Sequence, residues 1–170
     1  MWPDILKQVA SSPDVAASVN PPAGRDAIDA LERRVGMPLP SSFKAYLATM
    51  DGQNHLGNTA WLVDYNRFLP VAEMMEVMTS METLFGDEGP LEHIAENKIQ
   101  PVLWDRRWVP FSEFEGTPRL ILDLHPGRRG LPGQIVLSFP GVDLADDATV
   151  IAPSFAAFSA DLLRTLKSRT

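Results

Sequence analysis

Residues 119–139, RLILDLHPGRRGLPGQIVLSF, constrain this chain more than any other stretch. Leu120, Ile121, Leu122 and Leu124 form one apolar run, and Ile135, Val136, Leu137 and Phe139 form a second. Between them, Pro126, Gly127, Gly130, Pro132 and Gly133 turn the chain. Two β-prone runs joined by a Gly/Pro-rich connection predict a β-hairpin with a long loop. A half-exposed strand would alternate apolar and polar residues. These runs are apolar at nearly every position, so both faces need cover, one of them from helices.

The remaining sequence supplies those helices. Trp2, Ile5, Leu6 and Val9 fall at helical spacing, predicting a short amphipathic helix over residues 2–10. Ser11, Ser12, Pro13 and then Asn20, Pro21, Pro22 bracket what reads as a loosely structured connection. A helix from Asp26 to Val35 places Ile28, Leu31 and Val35 on one face and stops at Gly36. Pro40 then precedes a second helix whose stripe is Phe43, Tyr46, Leu47 and Met50, with Asp51-Gly52 at its end. The two stripes are expected to pack together and on the sheet. Trp61, Leu62 and Val63 read as an early strand after a turn at Gly57 and Asn58. A third helix starts near Pro70, with Val71, Met74, Met75, Met78 and Phe85 along one side. Methionines at this spacing read as core more readily than as an adaptable binding face.

Residues 86–100 form an acidic excursion with a helical turn around Leu91–Glu96. Pro101–Trp104 and Trp108–Phe111 then open a strand-rich half, and Glu115-Gly116 is a turn before the hairpin. Val150 and Ile151 make a final strand. Ser154 is the natural N-cap of a last helix that places Phe155, Phe158, Leu162 and Leu166 on one face. Helices first, then strands, then a closing helix predict an α+β fold: a single domain with a mainly antiparallel β-sheet, an N-terminal helix pair and a C-terminal helix packed on it. Residues 1–170 read as one domain, with 1–22 as an N-terminal extension.

Function is narrowed first by exclusion. The absence of cysteine removes disulfides, thiolate metal sites and cysteine nucleophiles. The net charge of −7 is spread over both halves of the chain. It disfavours nucleic acid, which needs clustered Lys and Arg, and suits a basic protein partner. A charge of this size also serves simple solubility. No apolar run approaches the roughly 18–20 residues of a membrane span. The N-terminus lacks the basic start and apolar core of a secretory signal, so a cytoplasmic location is expected.

No catalytic signature emerges. His55, His93 and His125 are the only histidines. Asp123 and His125 lie two apart in a predicted strand, the spacing that puts two side chains on one face, where they could hold a metal or a general base. No further ligand is placed near them, and a hydrogen-bonded Asp beside a His at a strand end is the simpler account. HPGRRGLPG lacks the Lys-Ser/Thr of a phosphate loop, so Arg128 and Arg129 read as a solvated hairpin tip. Trp104 and Trp108, bracketing Asp105-Arg106-Arg107, read as core flanking an exposed turn. No cofactor, metal or catalytic residue is assigned.

The ordered set Ile28, Leu31-Glu32, Gly36, Leu39-Pro40, Phe43, Tyr46-Leu47, then Trp108, Pro110-Phe111, then Leu122-Asp123, Pro126-Gly127, Gly130, Gly133-Gln134-Ile135, then Val150-Ile151-Ala152, Ser154-Phe155 and Phe158 resembles the SUKH superfamily. The likeness is to its Smi/Knr branch and covers about residues 26–166. Gly36, Pro40, Trp108, Pro110, Asp123, Gly127, Gly130 and Gly133 carry the pattern, and each has a structural reading: helix stop, linker angle, turn or hydrogen bond. The resemblance implies binding without catalysis. Bacterial members look like immunity proteins that neutralise toxins, often nuclease or deaminase domains, and a basic toxin would suit this charge. A regulatory scaffold of the yeast kind is the other implied role. The expected contact residues are acidic: Asp51, Asp64, Asp87, Glu88, Glu92 and Glu96. No nucleic acid and no membrane partner is expected, and the protein is expected as a monomer or weak dimer.

Overall fold

The computed structural model describes residues 1–54, 62–63, 66–87, 97–138 and 150–169. In chain order the described elements are α1 (Trp2–Val9), α2 (Pro13–Ser18), α3 (Arg25–Val35), α4 (Ser41–Leu47), β1 (Arg67–Phe68), α5 (Val71–Phe85), β2 (Trp108–Pro110), β3 (Ser112–Phe114), β4 (Thr117–Pro118), β5 (Leu120–Asp123), β6 (Gln134–Leu137), β7 (Val150–Ala152) and α6 (Phe155–Ser168). The fold is α+β, with every strand pair antiparallel. The expected turn at Gly57 and Asn58, the helical turn around Leu91–Glu96, and Trp61 and Phe139 lie outside the described residues.

The predicted hairpin is β5 and β6, in register from Leu120 opposite Leu137 to Asp123 opposite Gln134. All of β5 is buried, as its unbroken apolar run requires. Among the described residues there are two sheets and not one, ordered β2-β5-β6-β7 and β1-β3-β4. They are joined because β2–β3 and β4–β5 form one long antiparallel pair whose register does not slip. At the crossing, Phe111 N–H donates to Leu120 O (2.9 Å) and Arg119 N–H to Ser112 O (2.9 Å). Leu120 N–H also reaches Ser112 Oγ at 3.0 Å, where the pair passes from one sheet to the other. The predicted turn is tight: Glu115 and Gly116 have φ of 50° and 80°, the paired positive values that a two-residue type I′ hairpin needs. Pro110 and Pro118 lie on the outer strands of their sheets, where a missing N–H breaks no ladder.

An aromatic cluster fills the space between helices and sheets. Phe43 meets Phe155 edge-on at 4.9 Å, and Phe111 meets Phe43, Phe68 and Phe155 in the same manner. Edge-to-face contacts of this kind add about 0.5–1.5 kcal/mol each beyond area burial. Trp2 sits in this cluster, stacked on Phe155 and 4.4 Å from Tyr46, with its Nε1 donating to Ser159 Oγ at 3.1 Å. Trp2, Ile5 and Val9 are buried. Residues 1–22, which read as an extension in the sequence, therefore contribute α1 to the core.

Some local expectations need correcting. The connection between the first helices contains α2, because Pro13 at the first helical position tolerates its missing N–H and Asp14 complements the helix N-terminus. Residues 101–103 are bends, not a strand. The helix pair diverges: α3 packs mainly on α5, and α4 on α6. Gly36 does end α3, with φ of 75°. The Leu39-Pro40 link is fastened by Glu32, whose Oε1 accepts from Leu39 N–H at 2.9 Å and faces Lys44 at 3.2 Å. That backbone donor, with Lys44, holds the Glu32 carboxyl below its ordinary pKa. Ser154 caps α6 as expected, accepting from Ala157 N–H at 3.1 Å.

The three loop glycines act in two ways. Gly133 has φ of 84°, a backbone that only glycine adopts freely. Gly127 and Gly130 have no such φ; they leave room for another segment. A Cβ on Gly127 would fall 2.2 Å from Asn97 O, and one on Gly130 would fall 2.1 Å from Lys98 O. Residues 97–100 strap the loop there, with Gly127 N–H on Lys98 O (3.0 Å) and Arg129 N–H on Asn97 O (2.9 Å). At Gly133 an added Cβ meets only Pro40 Cγ, at an ordinary 3.5 Å. Gly133→Ala should therefore cost the backbone penalty alone, about 1–2 kcal/mol in urea unfolding. A loss below about 0.3 kcal/mol would show that the φ is not constrained.

Candidate partner-binding surface

Helix α5 offers the most distinctive exposed face among the described residues. Its inner side is core: Val71, Met74 and Met78 are buried. The methionine stripe is therefore packing material, as its spacing suggested. The outer side is Ala72, Glu76, Thr79, Ser80, Thr83 and Leu84, the last 64% exposed. Thr79 and Thr83 turn their hydroxyls back onto Met75 O (3.0 Å) and Thr79 O (2.8 Å), so this face presents mainly apolar groups, with the Ser80 hydroxyl and the Glu76 carboxylate. The helix contains no Lys or Arg.

The charge placement on α5 runs against helix electrostatics. A helix C-terminus carries partial negative charge and favours cations. Here Glu82 lies in the last turn and Asp87 just beyond it. Glu82 is held by Arg34 from α3. Asp87 is exposed and has no hydrogen-bond or ion-pair partner among the described residues. Local preferences broken without compensation are expected where a surface serves something besides the fold.

The acidic contact set predicted from the sequence divides. Asp87 lies on this surface. Asp51 does not: it is half-buried, and its Oδ1 accepts from Val71 N–H at 2.7 Å, capping the start of α5. Asp64, Glu88, Glu92 and Glu96 lie outside the described residues, as do His55 and His93. The outer face of α5 escaped the sequence reading, although its signal was present: the positions between the methionines carry small and acidic residues at the complementary helical spacing.

Of the remaining candidates, Asp123 is buried and His125 is partly exposed. Asp123 is fully buried, and its carboxylate accepts from Trp108 Nε1 (3.1 Å), His125 N–H (3.0 Å) and Gln134 Nε2 (2.8 Å). Burial pushes its pKa up to about 6, against the pull of those three donors. The His125 ring does not share its carboxylate. Nδ1 pairs with Asp105 Oδ2 at 2.6 Å, and Gln100 Nε2 approaches Nε2 at 3.4 Å. Gln100 Nε2 also donates to Pro126 O at 2.9 Å, fixing that amide as a donor. These contacts tie residues 97–105 to the β5–β6 loop, beside the buried Asp123 carboxylate. Trp104 and Trp108 are buried edge-on at 5.6 Å, as core.

A buried charge network was not foreseen. Arg67 on β1 is 5% exposed and forms ion pairs with Glu73 of α5 and, at 2.8 Å, Glu113 of β3. Its Nη1 donates to Gln53 O at 2.8 Å. Burial works against the charge, yet the two carboxylates hold the guanidinium above its ordinary pKa. Gln53 extends the network through Nε2 to Ser18 Oγ at 2.7 Å. The network ties α5 to both β1 and β3, and so sets the position of the exposed face.

Among the described residues no group of three or more His, Cys, Asp or Glu could hold a metal ion. None of the described helices is long and apolar enough to cross a membrane. No curated protein matches the chain. A family model does match, over residues 22–161, from just after α2 through the first half of α6. The chain belongs to the SMI1 / KNR4 family (SUKH-1).

Proposed function

We propose that this chain is a non-enzymatic protein-binding domain, an immunity protein that binds and neutralises a cognate toxin in the cytoplasm. Family membership over residues 22–161 carries the reading, since it supports a binding role of the immunity or regulator kind. The exposed Asp87 at the end of α5, with no partner among the described residues, favours a basic partner within that range. A basic nuclease or deaminase domain would be steered to such a surface and inhibited by occlusion of its own active site. The contacts fall on Asp87 and the outer side of α5, with Glu88, Glu92 and Glu96 as the neighbouring acidic positions in sequence.

The test is rescue. Toxin domains encoded beside the gene are expressed with and without this chain, and survivors are counted. Specific rescue together with a co-purifying complex supports the proposal. No rescue, with a reproducible host partner recovered from toxin-free cytosol, would favour the regulatory-scaffold role instead.

Asp87→Lys should slow association with a basic toxin about 3- to 10-fold at low salt and leave dissociation nearly unchanged, because rim charges act through steering. Stopped-flow association at two ionic strengths measures this. An unchanged on-rate would remove Asp87 from the interface.

A further inference from the structure

The β5–β6 loop end of the four-stranded sheet carries charge opposite to that of α5. Arg128 and Arg129 are exposed at its tip. Arg106 and Arg107 lie beside the start of the loop, where Leu124 N–H donates to Arg107 O at 3.2 Å. None of these four guanidinium groups makes a hydrogen bond or ion pair with a described residue. The described acids nearby are engaged: Asp105 by the His125 ring, and Asp123 by its buried donors.

Next to Arg129 is a groove of about 290 Å³ that reaches the outer strand β7. Lys98 and Arg129 line it with Leu131 and Ile151, which are 55% and 42% exposed. Among the described residues β7 has one strand neighbour, β6. Its sequence, Val-Ile-Ala, contains none of the charges or prolines that usually blunt a sheet edge.

We infer that this groove is a second docking surface, and that its occupant is an acidic, extended segment of a partner protein adding to the edge of β7. The partner's carboxylates meet Arg129, and its alternate apolar side chains meet Leu131 and Ile151. Charge argues against a second copy of this chain, because a two-fold pairing sets the same patch against itself, cation facing cation. Nucleic acid is disfavoured because, among the described residues, no aromatic side chain lines the groove to stack a base, Trp104 and Trp108 being buried. This surface is separate from α5, on which the toxin reading rests.

The test is titration of the ¹⁵N-labelled full chain with ten-residue capped peptides alternating Glu with Val, Lys with Val, and Glu with Ser, and with a ten-nucleotide oligothymidine. The Glu/Val peptide should bind saturably, with amide shifts centred on Arg129–Gln134 and Val150–Ala152. Arg128→Glu/Arg129→Glu should weaken that binding about tenfold or more, while thermal melting confirms that the variant is folded. Absence of binding, shifts centred elsewhere, or equal binding of the Lys/Val peptide would overturn the inference. Equal binding of the Glu/Ser peptide would overturn the apolar contacts on which it rests. Tighter binding of oligothymidine would assign the surface to nucleic acid.

Discussion

Arg67→Ala is expected to destabilise the protein by about 3–5 kcal/mol, a large share of the roughly 5–15 kcal/mol that holds a domain of this kind folded. Most of that destabilisation comes from the groups left behind. Glu73 and Glu113 carry side chains 29% and 12% exposed and would face each other without their shared cation. Gln53 O would also be deprived of a buried donor. The variant that separates these effects replaces the whole network: Arg67→Met with Glu73→Gln and Glu113→Gln. A neutral set of similar volume should recover more than half the loss, because a buried ion pair gives little net stability over well-packed neutral groups. Urea unfolding of wild type, single variant and triple variant measures both. If the single variant loses less than about 1 kcal/mol, the network is surface decoration. If the triple variant is as unstable as the single one, geometry matters here more than unpaired charge.

Arg67 also shows where sequence reading stops. The β5–β6 hairpin is legible because two apolar runs around a glycine-rich loop permit few other structures, and α3, α4, α5 and α6 are legible because their apolar spacing persists over two turns or more. Arg67 sits beside Phe68 in a two-residue strand, too short to show any period. Its partners come from α5 and β3, and no local pattern announces a pairing between residues 67 and 113. α2 was hidden by its own start signal, since Ser12-Pro13 is equally good chemistry for a turn. The second sheet was hidden because the long pair of β2–β3 with β4–β5 passes between sheets without changing register, so the sequence on either side of Phe111 reads as one continuous strand. The glycine pattern was visible but its cause was not. Gly127 and Gly130 are required by the backbone of residues 97–99, a neighbour some 30 positions away in sequence. For the candidate surface, net charge was legible and its arrangement was not: Asp51 and Asp87 look alike in sequence, yet one caps a helix and the other projects from a helix end.

Asp123→Asn is expected to cost about 2 kcal/mol at pH 7.5 and about 2 kcal/mol more at pH 4.5. The first figure follows from hydrogen-bond arithmetic. Gln134 cannot rotate its amide, because Nε2 donates to both Asp123 Oδ2 and Lys98 O (2.8 Å each) while Oε1 accepts from Leu131 N–H at 3.1 Å. An asparagine at 123 therefore points its own NH₂ either at the Gln134 amide or at the Trp108 and His125 donors, and leaves buried donors facing each other. The pH dependence follows from linkage. Burial raises the folded carboxyl to about 6, against about 3.9 in an unfolded chain. The folded state therefore holds the proton more tightly, and wild-type stability from this group is greatest in acid and declines as pH rises from about 4 through 6. Asparagine does not titrate, so the gap between the two proteins narrows by the same amount toward neutral pH. Urea unfolding of both at pH 4.5 and 7.5 gives four stabilities and one difference of differences. A gap independent of pH would mean that the three donors balance burial and Asp123 is ionised throughout; a gap that widens toward neutral pH would mean they outweigh it. Either result would recast the loop end as held by a permanent buried anion, with the strap over residues 97–100 fastened to it at every physiological pH.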